Sequence, residues 1–319
     1  QVRNIFSVEN SPIWMDSSTT SYCRSFEKKM GGPAVVAKIT GSRAYERFTG
    51  NQIAKKFDKE QEKYYDTERI ALVSSFMASI FIGDYAPIDV SDGSGMNLLD
   101  IKTRDWSQKA LKFTAPDLEK KLGKVVLSHK KIGLISKWFV ERHGFSRNCI
   151  VIAFSGDNPN SLAGLRVRKP GEIVISLGTS DTVFASLKEP KPSPSEGHIF
   201  ANPVEPHGYM ALICYKNGSL TREFVKDSLG CKSWTEFGAL VAKSPVGNSG
   251  NIGFFIKEPE ITPPILKTGI YRFDAKGKRV KSFSPNVEAR AVLEGQFLSM
   301  RLHGGNIGIK PSGILVTSG

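Results

Sequence analysis

The sequence predicts an α/β protein, and three observations carry that expectation. Two apolar, β-branched runs, at 150–154 and 173–177, read as buried strands, and each ends abruptly in small polar residues. Between them, 159–165 reads as a short helix with Pro159 in its first turn. Apolar residues recur at helical spacing at Ile70, Val73, Phe76, Met77 and Ile80. The 319 residues suffice for a large core and for two domains. A basic turn, Arg166-Val167-Arg168-Lys169-Pro170-Gly171, separates the two strand runs. The domain boundary is expected there, giving parts 1–167 and 168–319.

In chain order, the first helix carries Cys23, Phe26 and Met30, with Asp16 or a following Ser or Thr as its cap. Gly31-Gly32-Pro33 breaks the chain. A second helix opens at Gly50 and Asn51 and runs through Ile53, Ala54 and Phe57. Asp66-Thr67-Glu68-Arg69 starts the amphipathic helix noted above, whose apolar stripe is expected in the core. Residues 84–95 read as a loop. Asp89 and Asp92 lack the terminal Glu of a calcium loop and read as turn formers. Residues 106–113 and 132–143 look helical, the second feeding the strand at Ile150.

Past the basic turn the chain becomes strand-rich, at 173–177, 182–186 and 209–214, with an exposed Pro-rich connection at 189–194. Asn217-Gly218-Ser219 turns into a helix over 220–228. Ser233 is placed to cap a helix starting at Trp234, a partly buried packing residue on its own evidence. Residues 246–261 are Gly/Asn-rich in their first half, and 276–281 form a basic hairpin. Residues 286–302 make the last long helix, with Val287, Ala291, Phe297 and Met300 inward. His303-Gly304-Gly305 reads as a turn, and 313–317 as a buried strand.

Ligands in sheet-based α/β folds bind beyond the carboxyl ends of strands. The first motif strand ends in Ser155-Gly156-Asp157-Asn158, the second in Gly178-Thr179-Ser180. Gly178 lets backbone N–H groups approach an anion, and Thr179 and Ser180 add hydroxyl donors, a combination suited to phosphate. Asp157 is placed as a general base. A carboxylate paired with a phosphate loop points to phosphoryl transfer to a hydroxyl. Two plain structural turns account for the same residues equally well. The functional reading requires both to open onto one crevice between two lobes.

Several longer stretches carry a family resemblance. They are IWMDSSTT at 13–20, TGSRAYERFTGNQIAKK at 40–56, SDGSGMNLLDI at 91–101 and AFSGDNPNSLAG at 153–164. VISLGTSDT at 174–182, EGHIFANPV at 196–204, YKNGSL at 215–220 and LEGQF at 293–297 complete the set. With these the chain resembles the FGGY carbohydrate kinase family across nearly its whole length, and within it the animal members that act on xylulose. The resemblance implies a two-lobed actin-like ATPase (ribonuclease H-like) fold, partial in both lobes, and ATP-dependent conversion of D-xylulose to D-xylulose 5-phosphate. It implies Asp157 as general base, with Arg47, Asp157 and Asn158 on the sugar. It implies Gly178, Thr179, Ser180, Trp234 and Gly319 on the nucleotide, with Mg2+ offsetting phosphate charge. An Asp matching Asp16 lies near the cleft in the family; most members carry Arg two residues later, where this chain has Ser18. The family's amino-terminal acidic Gly-Thr turn and Gln-His pair do not occur here, so the chain reads as a fragment lacking the amino-terminal phosphate-binding segment and the carboxyl-terminal end. Glycerol, gluconate or deoxy-sugar kinases, and a non-catalytic actin-like nucleotide binder, are the alternatives.

Composition removes other classes. A net charge of +13 suits an acidic partner or phosphorylated ligand, but the basic residues lie in scattered pairs such as Lys28-Lys29 and Lys130-Lys131, not in an aromatic-laced nucleic-acid groove. No P-loop and no protein-kinase HRD or DFG motif is present. Cys23, Cys149, Cys214 and Cys231 form no CxxC pair and read as buried free thiols of a reducing, cytoplasmic setting. No apolar run is long enough for a bilayer.

Overall fold

The computed structural model describes residues 5–318. The chain packs as two units. Unit 1 takes residues 1–170, 186–194 and 198–211; unit 2 takes 171–185, 195–197 and 212–319.

Unit 1 begins with helix α1 (Thr20–Met30), which stops where Gly31 adopts a left-handed φ of 107° and Pro33 opens α2 (Pro33–Thr40). Cys23 is buried as expected, and Phe26 and Met30 are buried with it. Asp16 does not cap α1. Its carboxylate accepts from Ser18 N at 2.8 Å and from Ser18 Oγ, closing a turn of its own. Those bonds hold its pKa down to about 2. Helices α3 (Thr49–Lys59) and α4 (Gln61–Asp66) follow.

The expected helix from Asp66 instead starts at Val73, as α5 (Val73–Ile82). The backbone before it is committed elsewhere: Ile70 N donates to Lys121 O at 2.9 Å, and Leu72 N to Ser75 Oγ at 3.0 Å. The apolar stripe is not core. Val73 is 83% exposed and Phe76, Met77 and Ile80 about two-fifths, while Ser75 and Ala78 face inward.

The stretch expected as a loop folds into strand β1 (Ile88–Asp89), the single turn α6 (Val90–Gly93) and a 3-10 turn, Ser94–Met96. A short hairpin, β2 (Leu99–Asp100) and β3 (Asp105–Trp106), leads to α7 (Gln108–Thr114) and α8 (Leu118–Leu122). Strand β4 (Val125–Val126) pairs in parallel with β1. Residues 132–143 are not one helix. They split into strand β5 (Lys131–Leu134) and helix α9 (Lys137–His143). Strand β6 (Ile150–Ile152) pairs antiparallel with β5 in a sheet of two strands. Only one face of so small a sheet is covered, so Val151 is buried while Ile150 and Ile152 stay half exposed, against the expectation of a fully buried strand. Helix α10 (Asp157–Gly164) then starts two residues earlier than predicted, with Asp157 as its first residue. Met30, Ile88, Met96, Leu98, Leu99, Ile101, Leu118 and Leu122 are fully buried in this unit.

The strand-rich part follows the sequence closely. Strands β7 (Glu172–Leu177), β8 (Asp181–Leu187), β9 (His198–Ala201) and β10 (Tyr209–Tyr215) join the carboxyl-terminal β14 (Gly313–Ser318) in the order β14-β7-β8-β10-β9. The division between units runs through β8 and β10. Strand β7 pairs antiparallel with β8 from Ile173↔Ala185 to Leu177↔Asp181, leaving residues 178–180 as a three-residue hairpin loop. Strand β14 pairs in parallel with β7 at the sheet edge, which leaves Ile314 61% and Leu315 41% exposed instead of buried.

Helices α11 (Ser219–Ser228) and α12 (Trp234–Ala242), strands β11 (Ile252–Ile256), β12 (Gly269–Phe273) and β13 (Arg279–Val280), and helix α13 (Pro285–Asn306) complete unit 2. Val225, Cys231, Phe237, Phe255, Ala289, Ala291 and Val292 form one apolar cluster. Helix α13 lies so near β11 that a Cβ at Gly295 would fall 2.2 Å from Gly253 O. It runs through His303, which is therefore helical and not in a turn; His303 Nδ1 meets Glu196 Oε2 at 2.7 Å. Ala291 and Met300 point inward as expected, but Phe297 is 39% exposed. Of the cysteines, Cys23 and Cys231 are buried free thiols, whereas Cys149 and Cys214 are partly exposed. Among the described residues no helix is long and apolar enough to cross a membrane.

Candidate active site

In unit 1, two of the residues marked by sequence, Asp157 and Asn158, open α10. Asp157 is exposed, and its Oδ1 accepts from Asn158 N at 2.8 Å and Asn158 Nδ2 at 3.1 Å. Its Oδ2 accepts no hydrogen bond among the described residues, so one carboxylate oxygen remains for an incoming hydroxyl. The turn before it is fixed from behind. Ser155 Oγ donates to Asp89 Oδ2, and Ser155 O accepts from Asn160 Nδ2 at 3.0 Å. Asp89 has no exposed surface; its other oxygen accepts from Ser128 Oγ, and it caps α6 through Asp92 N at 3.0 Å. Asp92 accepts from Ser74 Oγ. Burial, with the charges of Asp89 and Asp157 adding to it, pushes the Asp92 carboxyl up to about 6.

Arg47 makes no hydrogen bond or ion pair to this turn among the described residues. It is exposed, with its guanidinium 5.7 Å from the centre of the Trp14 ring, and no ion pair joins it to Asp157 among the described residues. The Arg43 side chain is engaged by Glu27, at 3.0 and 3.1 Å. A cavity of about 900 Å³ in the same unit is lined by Tyr22, Phe26, Phe57, Gln108 and Phe113 among others, and includes neither Arg47 nor Asp157.

In unit 2, the Gly178-Thr179-Ser180 hairpin loop presents Thr179 and Ser180 to solvent. A second turn closes against it. Ser219 N donates to Gly178 O at 2.8 Å, and a Cβ at Gly218 would lie 2.7 Å from Thr179 O and 2.8 Å from both Gly178 O and Asp181 N. Only glycine allows the two turns to meet this way. Asn217, 6% exposed, locks the second turn: its Oδ1 accepts from Lys257 N and Glu258 N, and its Nδ2 donates to Glu260 at 2.7 Å. Glu260 also accepts from Lys216 N and Asn217 N. Asp181, immediately after the loop and fully buried, is paired with Arg222, and Arg222 reaches Gln296 at 2.8 Å. The loop thus has preset geometry and exposed hydroxyls, which fits an anion such as a phosphate.

Trp234 opens α12, where Ser233 Oγ accepts from Glu236 N at 3.2 Å, the expected cap. It is 51% exposed instead of partly buried, edge-on to Phe237, with Lys226 Nζ 5.6 Å above its ring. Gly319 lies outside the described residues. Sequence reasoning missed Asp89, Asn217, Asp181, Arg222, Gln296 and Glu260 as site-building residues. The acid directly after Gly-Thr-Ser and the Asn-Gly directly after a strand were the available signals.

Comparison with known proteins gives the family context. Residues 6–164 match the N-terminal domain of the FGGY family of carbohydrate kinases, and residues 173–319 match its C-terminal domain. The chain is 52% identical over its whole length to a xylulose kinase of Mus musculus and 50% identical to xylulose kinase 2 of Arabidopsis thaliana. It spans 58% and 59% of the length of those relatives. Among solved structures, a xylulose kinase from Rhodospirillum rubrum superposes with a TM-score of 0.82 at 14% identity, covering 96% of this chain and 62% of that one. A gluconate kinase from Lactobacillus acidophilus gives 0.79 at 20% identity, covering 97% and 63%. At such identities the likeness speaks for the fold, and it bears out the α/β actin-like ATPase class expected from the sequence.

Proposed function

The chain belongs to the FGGY family of carbohydrate kinases, and we propose that the protein carrying it transfers the γ-phosphoryl group of ATP to D-xylulose. The observation that carries this reading is Asp157: an exposed carboxylate at the first position of α10, one oxygen held by Asn158 and the other without a hydrogen bond among the described residues. Asp157 takes the proton of the attacking sugar hydroxyl, and the hydroxyl oxygen forms the new bond to phosphorus as the bond to ADP breaks. Asn158 and Arg47 hold the ketose, and the Arg47 side chain is exposed. The Gly178-Thr179-Ser180 loop holds phosphate through backbone N–H groups and two hydroxyls, and Trp234 offers an exposed ring to the nucleotide. Gly319 is assigned to the nucleotide by resemblance alone. Magnesium, bound with the nucleotide, neutralises phosphate charge. The domain assignment, 1–167 for sugar and 168–319 for nucleotide, and a cytoplasmic location belong to the same proposal.

A substrate panel tests it. The full-length protein is given ATP-Mg2+ with D-xylulose, gluconate, glycerol or a deoxy-sugar, and ADP release is followed. Xylulose is expected to give the highest kcat/KM. A higher value for another sugar would reassign the substrate; nucleotide binding with no sugar-dependent ADP release would overturn the kinase reading.

A further inference from the structure

Asp157 is the first residue of α10, and among the described residues its side-chain hydrogen bonds reach only to its neighbour Asn158. The turn that leads into it is fixed through the two residues before it. Ser155 Oγ donates to Asp89. Gly156 packs so tightly that a Cβ would lie 2.8 Å from Asp92 Oδ1 and 3.3 Å from its Cγ. Asp89 caps the single turn α6 and Asp92 lies within it, and that turn is itself anchored. Ser91 Oγ donates to Ala201 O at 2.8 Å, and Ala201 N donates to Ser94 Oγ at 3.1 Å.

Asp89 is an expensive device for a plain turn. A carboxylate with no exposed surface loses its hydration, and only hydrogen bonds offset that loss. Asp89 collects three: from Ser128 Oγ, Ser155 Oγ and Asp92 N. Charge-assisted bonds of this kind are the stronger class and hold geometry tightly. They tie β1, the segment after β4 and the start of α10 to one point.

We infer that Asp89, acting through Ser155, is a positioning residue that aims Asp157 at the sugar hydroxyl, with Asp92 closing the same turn against Gly156. The inference rests on the reading of Asp157 as the base. A base displaced by a fraction of an ångström still lets sugar bind but loses the alignment needed for proton transfer.

The test uses the full-length protein with Ser155→Ala, Ser155→Thr, Asp89→Asn and Asp157→Asn, and reads kcat and KM per folded molecule. Ser155→Ala is expected to lower kcat about tenfold while the KM values for xylulose and ATP move less than about twofold. Ser155→Thr keeps the hydroxyl and restores most of kcat. Asp89→Asn, which keeps the side-chain shape, lowers kcat like Ser155→Ala. Lowered thermal stability in Ser155→Ala and Asp89→Asn with wild-type kcat per folded molecule overturns the inference, since that is the pattern of a purely structural residue. If Asp157→Asn is inactive while Ser155→Ala turns over normally, the positioning role fails and the base stands. If Asp157→Asn turns over normally, the base reading itself falls, and the inference with it.

Discussion

The guanidinium of Arg222 grips the carboxylate of Asp181 through both oxygens, at 2.6 and 2.9 Å, one residue past the Gly178-Thr179-Ser180 loop. Asp181 has no exposed surface and the Arg222 side chain retains only 10% of its own. Removing one partner leaves the other charge buried and uncompensated, which costs about 3–5 kcal/mol. Arg222→Met is therefore expected to lose that much stability in urea unfolding. The double variant Arg222→Met/Asp181→Asn should recover most of it, because the orphaned charge is gone.

Gly218 separates steric from electrostatic control of the same loop. The atoms that a Cβ there would strike are backbone atoms of Gly178, Thr179 and Asp181, which cannot swing aside as a side chain would. Gly218→Ala must shift the loop. The KM for ATP should rise by about tenfold, roughly 1.4 kcal/mol, with the KM for xylulose unchanged. Steady-state kinetics with each substrate varied in turn would measure it.

Asp92 makes folding depend on pH. Burial raises its pKa to about 6, above the unfolded value near 3.9, so ionising it costs more in the folded chain than in the unfolded one. Its contribution is most favourable below about pH 4 and is lost as pH rises through about 6. Asp92→Asn keeps an acceptor for Ser74 and removes the charge. The variant should gain about 1–3 kcal/mol over wild type at pH 7 and almost nothing at pH 4, read from urea unfolding at both.

His198 acts in the same window with the opposite sign. It lies among Tyr45, Phe48 and Phe200, ring centres 4.9–6.0 Å away, and its Nδ1 has no partner among the described residues. Burial pushes its pKa down to about 4. The unfolded chain takes up a proton near pH 6.5 and the folded chain does not, so stability is present above about 6.5 and is lost as pH falls towards 4. His198→Phe should flatten the acid side of the stability profile relative to wild type. The slope carries the test, since the absolute stability of the variant also reflects repacking.

The sequence made some of this visible and hid the rest for physical reasons. Strands β7, β8 and β10 were legible because their neighbours cover them, so apolar runs mark them directly. The two turns were legible because small polar residues end a strand in a single step. Helix α5 was misread because periodicity reports an apolar face but not whether anything covers it: Val73 and Phe76 repeat correctly and stay exposed. Residues 132–143 were misread because short apolar runs do not separate strand from helix. Asp89 and Arg222 were invisible as site residues because their partners lie 66 and 41 positions away, and no local pattern announces a buried carboxylate held at that distance.

The central claim is that Asp157 removes the sugar proton, and Asp157→Asn in the full-length protein tests it most directly. The account predicts that xylulose binding, measured calorimetrically, stays within about threefold, while kcat for xylulose-dependent ADP release falls by about 10²–10⁴-fold. Wild-type kcat in that variant would contradict it.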